Sequence, residues 1–67
     1  MPFVSIRLIQ GRSQQQKDEI SKRVTEAISK VLRLPKGDTW VVFEDIPAED
    51  WYVGNTTVAE LRKKTQK

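Results

Sequence analysis

Three stretches of patterned hydrophobicity organise the chain. Phe3-Val4-Ser5-Ile6-Arg7-Leu8-Ile9 alternates, with Val4, Ile6 and Leu8 on one uniformly apolar face and Phe3, Ser5, Arg7 and Ile9 on a mixed one. Period two with β-branched residues predicts a strand. The mixed face is neither dry core nor plain surface, and points to a covered interface or a lined site. Gly11 breaks the alternation, and Ser13-Gln14-Gln15-Gln16 has capping-box spacing, in which a Ser and a Gln three residues on satisfy each other's backbone N–H. A helix is predicted to start after Ser13. Its apolar positions, Ile20, Val24, Ala27, Ile28, Val31 and Leu32, form a single stripe at the helical period. Asp18/Lys22, Glu19/Arg23 and Glu26/Lys30 place an acid four residues before a base, the favourable order on a solvated face. Pro35 ends the helix near Arg33, and Lys36-Gly37-Asp38 makes a turn.

A second strand is predicted over Thr39–Asp45, with Thr39, Val41 and Phe43 on one face and Trp40, Val42 and Glu44 on the other. Strand, helix, strand reads as a β-α-β unit with parallel strands and a right-handed crossover, an α+β domain spanning residues 1–67. Ile46–Asp50 reads as loop, Trp51-Tyr52-Val53 as a short β-prone patch closed by Gly54-Asn55, and Thr57–Lys67 as a weak basic helix. Repeats and low-complexity tracts are absent. One helix covers only one face of a two-stranded parallel sheet, and parallel sheets normally bury both. The uncovered face carries Phe3, Ile9, Trp40 and Val42, a contiguous apolar patch of the kind that marks association.

Composition strengthens that expectation. A chain of 67 residues buries only about 60% of its unfolded surface and leans on disulfides, metals or partner subunits. Cys and His are both absent, which removes disulfides, the usual zinc ligands, the Cys nucleophile and the His general base. Oligomerisation remains, and no metal or cofactor is expected. The net charge is +3, with Arg62, Lys63, Lys64 and Lys67 supplying much of the basic excess. No apolar run approaches the ~20 residues of a membrane span, and the first residues have no signal-peptide pattern. The expectation is a cytoplasmic protein that makes no membrane contact.

Without His or Cys, the residue to weigh first is Pro2. Removal of Met1 leaves a secondary amine, which titrates near pH ~8 before perturbation. Burial or a neighbouring cation lowers that value by disfavouring the charged form. Such an amine acts as a general base or acid near neutrality. The plain structural alternative is that proline suits the first residue of a strand, having no N–H to donate.

Pro2 opening a strand, Gly11-Arg12-Ser13, Gln16-Lys17 entering the helix, an acidic pair closing the second strand and Trp51-Tyr52-Val53-Gly54 together resemble the 4-oxalocrotonate tautomerase family. The likeness covers nearly the whole chain and weakens after Asn55. It implies a homohexamer, a trimer of β-α-β dimers in which two strands from each subunit join into a four-stranded sheet. It also implies Pro2 as the base that moves a proton between oxygen and carbon of a small enol 2-oxo acid. Arg12 would grip the substrate carboxylate, a task suited to a planar guanidinium. Trp51 and Ile9 would wall the site and keep it dry. Taken alone, Arg12 also fits an exposed loop and Trp51 an interface aromatic.

The chain departs from the family at Trp40, where the tautomerases carry a second arginine that a neighbouring subunit presents to the substrate's carbonyl end. An indole offers an apolar wall and one N–H donor, which favours a smaller or more apolar monocarboxylate. A mixed hexamer whose partner supplies the arginine is the alternative, and Arg7, on the mixed strand face, is a weaker substitute from within the chain. Hydratase and dehalogenase relatives need a water-activating carboxylate near the aromatic patch. The matching position holds Val53, while Glu44, Glu49 and Asp50 read as solvated loop acids. A basic module binding nucleic acid through the C-terminal cations, Trp51 and Tyr52 is a weaker reading, since the aromatics are not interleaved with the bases. A subunit that keeps the fold but has lost the chemistry at Trp40 is the third.

Overall fold

The computed structural model describes residues 1–65. Strand β1 (Phe3–Ile9), helix α1 (Gln14–Leu32) and strand β2 (Trp40–Ile46) form the predicted β-α-β unit. The strands pair in parallel, with Phe3 opposite Trp40, Arg7 opposite Glu44 and Ile9 opposite Ile46. β2 begins and ends one residue later than its pattern predicts. Thr39 instead closes the 3₁₀ turn Lys36–Asp38, its N–H donating to the Lys36 carbonyl at 3.3 Å.

Both halves of the capping box form. Ser13 Oγ accepts from the Gln16 N–H at 3.1 Å, and Gln16 Oε1 accepts from the Ser13 N–H at 2.9 Å. Replacing Ser13 by alanine frees one of these N–H groups from its partner and is expected to lower stability by about 1 kcal/mol, read from the urea midpoint at an unchanged m-value. At the other end Arg33 takes a left-handed conformation (φ 57°), and the Leu34 N–H donates to the Ser29 carbonyl at 3.1 Å. The surface pairs on α1 are fewer than their spacing predicts. Arg23 bonds Glu19 at 2.7 Å, but Asp18 accepts from Gln14, and Glu26 lies 3.8 Å from Lys36 beyond the helix.

Helix α1 covers the sheet face built from Val4, Ile6, Leu8, Val41 and Phe43, all half-buried. Ile20, Val24 and Ile28 supply the half-buried part of the helical stripe, while Ala27, Val31 and Leu32 remain exposed. Lys17 pins the first turns of the helix to the end of β2 through Asp45, at 2.6 Å. On the opposite sheet face Phe3 is 62% exposed, Trp40 56% and Val42 44%, as the single-helix argument requires; Ile9 is half-buried.

Beyond β2 the loop contains a 3₁₀ turn at Ala48–Asp50. The aromatic patch is one arm of a small antiparallel hairpin, β3 (Tyr52–Val53) with β4 (Thr56–Thr57), turning at Gly54 (φ 67°) and Asn55. Helix α2 (Val58–Thr65) follows, with Thr57 Oγ1 accepting from the Glu60 N–H at 3.1 Å in the manner of an N-cap. It carries Arg62, Lys63 and Lys64, whereas Lys67 lies outside the described residues. Among the described residues no side chain is fully buried. The radius of gyration is 15.5 Å, against about 11 Å for a compact chain of this length. The single chain is an elongated half-covered layer. No helix among the described residues is long and apolar enough to cross a membrane.

Candidate active site

The parallel register divides the candidate residues between two ends of the sheet. Pro2 precedes β1, and its carbonyl accepts from the Trp40 N–H at 2.9 Å, so Pro2 and Trp40 share one end. Ile9 closes β1 at the other, about 23 Å away at ~3.3 Å per residue. There the Gln10 N–H bonds the Ile46 carbonyl at 2.9 Å and leads through Gly11 (φ 120°) to Arg12. Trp51 belongs to the same end. Its carbonyl accepts from the Val58 N–H at 2.8 Å, and it lines one depression with Glu44 and Ile46 of β2. One chain therefore cannot bring Pro2 to Arg12 or Trp51. A site containing all three takes Pro2 from a different copy than it takes Arg12 or Trp51.

Two shallow depressions flank the Arg12 and Trp51 end. On the open sheet face, one of about 320 Å³ is lined by Arg7, Glu44, Ile46, Asp50, Trp51 and Tyr52. Ile46 is the register partner of Ile9, so the expected apolar wall continues into it. Arg7 Nε donates to Glu44 Oε1 at 2.9 Å, an exposed cross-strand pair. Glu44 is a strand residue, as the second-strand pattern predicts, and is paired with Arg7. Glu44, Glu49 and Asp50 are all exposed, as expected of solvated acids, and Glu44 and Asp50 line the depression beside Trp51. Arg7, the other cation considered for the position Trp40 vacates, is tied to Glu44.

Arg12 lines a second depression on the helix side, about 390 Å³, with Gln16, Glu19, Ile20 and Arg23. Within one chain it does not share the Trp51 depression. The Arg23 guanidinium holds the Glu19 carboxyl below its ordinary value, by hydrogen bonding first and by charge second. That interaction favours the folded state at pH above the ordinary carboxylate range and fades as pH falls through the lowered folded value. It also leaves Arg12 as the cation in this depression that Glu19 does not engage through a hydrogen bond.

Residues 2–61 match the Tautomerase family, described as tautomerase enzyme. The chain belongs to the tautomerase family. A probable tautomerase of Streptococcus agalactiae serotype III is 42% identical over 64 residues, 96% of this chain and all of the relative. One from Streptococcus thermophilus is 44% identical over 64 residues, 96% of this chain and 98% of the relative. Among solved structures, the 4-oxalocrotonate tautomerase homologue of the tomaymycin biosynthetic pathway superposes with a TM-score of 0.88 at 34% identity, covering 92% of this chain and 95% of that one. A heterohexamer 4-oxalocrotonate tautomerase from Chloroflexus aurantiacus superposes at 0.85 with 29% identity, covering 92% of this chain and all of that one. The β-α-β unit is the tautomerase fold, as the family resemblance implied.

Proposed function

We propose that this chain is a cofactor-independent tautomerase that interconverts enol and keto forms of a small 2-oxo acid. Pro2, exposed as a terminal amine when Met1 is removed, is its general base. The neutral nitrogen accepts the enol hydroxyl proton as the C–O bond becomes a carbonyl. The electrons of the adjacent C=C bond then take a proton at carbon from the resulting ammonium, which restores the amine. Arg12 of a neighbouring copy holds the substrate carboxylate through its planar fork. Trp51 and Ile9 exclude water, which disfavours the charged amine and keeps it unprotonated at neutral pH. Trp40 lies at the Pro2 end as an apolar wall with one donor.

The observation that carries the reading is the family match over residues 2–61, which starts at the proline and includes Arg12 and Trp51. The separation of Pro2 from Arg12 along the sheet, together with the open apolar face, supports an obligate assembly, which we take to be a homohexamer. A mixed hexamer is the second reading, favoured by Trp40 at the arginine position and by the heterohexamer relative.

The test follows ketonisation of a small enol 2-oxo acid by ultraviolet absorbance, with intact mass confirming a chain that begins at Pro2. Arg12→Ala is expected to raise KM by about 10-fold or more, the scale of a charge-assisted hydrogen bond, with a smaller change in kcat. An unchanged KM would remove Arg12 from the site. Activity that appears only on adding a second tautomerase-family subunit would select the mixed hexamer.

A further inference from the structure

We propose that Thr39 is a positioning residue for the Pro2 amine: its hydroxyl accepts a hydrogen bond from the nitrogen that removal of Met1 exposes, and so fixes the direction of that nitrogen's lone pair. The inference deepens the reading of Pro2 as general base and rests on it.

An unpaired buried oxygen carries it. Thr39 Oγ1 is shut off from solvent and, among the described residues, makes no hydrogen bond. A buried hydroxyl left this way has given up its bonds to water without replacement, which native proteins rarely tolerate. The turn does not account for it, since Thr39 closes the 3₁₀ turn through its backbone N–H, not its side chain. A valine of nearly the same shape, as at Val41, would fill the covered face without that cost.

Register brings the unpaired oxygen to Pro2. Phe3 pairs with Trp40, and the Trp40 N–H bonds the Pro2 carbonyl at 2.9 Å. One step back along both strands sets Pro2 beside Thr39, about 4.8 Å across the ladder. Alternation puts both on the helix-covered face, Pro2 two residues before Val4 and Thr39 two before Val41. With Met1 in place the Pro2 nitrogen is a tertiary amide, which has no hydrogen to donate and a delocalised lone pair. Removal of Met1 turns it into an amine with one N–H when neutral and two when charged. The hydroxyl thus gains a donor in the same step that makes the base. The Trp40 bond already holds the Pro2 carbonyl, and the ring holds the nitrogen relative to Cα. The rotation left free is about the bond from Cα to the carbonyl carbon. A hydrogen bond to Thr39 stops it with the lone pair turned away from Thr39, toward substrate.

The experiment titrates Pro2 directly, by magnetic resonance of an isotope-labelled Pro2 nitrogen in synthetic chains that begin at Pro2. A hydroxyl acceptor bonds the ammonium more strongly than the neutral amine. Thr39→Val is therefore expected to lower the Pro2 pKa by about one pH unit, the scale separating charge-assisted from neutral hydrogen bonds. Thr39→Ser, which keeps the hydroxyl, is expected to restore the wild-type value. The charged groups at this end of the chain are Asp38 in the turn, Lys36 with Glu26, and Lys30 and Arg33 closing α1. Thr39→Val leaves every one of them in place. In ketonisation the same variant should lower kcat about 10-fold at nearly unchanged KM, and move the acid limb of the kcat/KM profile to lower pH.

Melting temperatures of two chain forms give a second readout. Thr39→Val should stabilise the chain beginning at Met1, which sheds an unpaired polar atom, and destabilise the chain beginning at Pro2, which loses a hydrogen bond. A purely structural role moves both in the same direction. Native mass spectrometry checks assembly, and Thr39→Ala makes the same comparisons if Thr39→Val does not assemble. A Pro2 pKa that stays or rises without the hydroxyl, or stability changes of one sign in both chain forms, would overturn the proposal. Neither readout needs turnover. A Thr39-dependent Pro2 titration in a protein that ketonises nothing would sink the tautomerase reading and leave the positioning role standing. Ketonisation that needs Pro2 but ignores Thr39 would do the reverse.

Discussion

Replacing Pro2 by alanine should lower kcat/KM for enol ketonisation by about 100-fold, the lower end of the range for losing a positioned general base. The lower end applies because alanine still ends the chain in an amine. What it loses is the ring. A pyrrolidine nitrogen is fixed in direction by its own cycle, whereas a primary amine rotates about its bond to Cα and spends most of its time misdirected. Proximity effects of this kind are large because a well-oriented group replaces a bimolecular encounter. The loss should fall mainly on kcat, since the substrate carboxylate is held by Arg12 of the neighbouring copy and the base acts on the reacting proton. The check is steady-state kinetics on protein whose intact mass shows Met1 removed. Equal kcat in the variant and wild type would exclude Pro2 from proton transfer.

The second large effect concerns assembly. Val42→Lys should dissociate the protein and unfold the released chains. Val42 stands mid-strand in β2, opposite Ser5, on the sheet face that α1 leaves open, with Phe3 and Trp40 beside it on the same face. If other copies cover that face, an ammonium placed there loses its hydration without a partner, at a cost of several kcal/mol. Nothing in a single chain offsets this, because no described side chain is fully buried and the one helix covers one face only. Mass by light scattering and helical circular dichroism should therefore fall together. Wild-type unfolding should shift to higher temperature as protein concentration rises, the signature of folding coupled to association. A variant with wild-type mass and midpoint would show that the face is solvent-exposed in the native protein, where surface changes cost within ~0.5 kcal/mol.

The β-α-β unit was legible because its signals are periodic and local. Val4, Ile6 and Leu8 alternate, and Ser13 with Gln16 spells out the helix start. The single helix announced the uncovered face before any geometry was known. The hairpin does not follow from the pattern, although Gly54-Asn55 is a usable turn signal, because arms of two residues carry no periodicity and Thr57 reads as the start of the basic helix. Spacing alone overstates the ion pairs on α1. Spacing at i,i+4 permits a contact, but Asp18 and Glu26 found competing partners in Gln14 and Lys36. The site was legible only as a set of residue types. That Glu44 faces Arg7 depends on strand register, and that Asp50 joins Trp51 depends on a 3₁₀ turn, neither of which a spacing rule supplies. The placement of Pro2 and Arg12 at opposite sheet ends likewise follows only once the strands are paired.

The most direct test of the central claim compares two chemically synthesised chains, one beginning at Met1 and one at Pro2, in the same ketonisation assay. All 65 residues from Phe3 onward are identical in the two; only the Pro2 nitrogen changes, from amide to amine. The account predicts that both assemble alike and that the chain beginning at Pro2 is faster by about 1000-fold or more, since an amide nitrogen supplies no base. Equal rates from the two assembled chains would contradict it and place the chemistry, if any, on a different group.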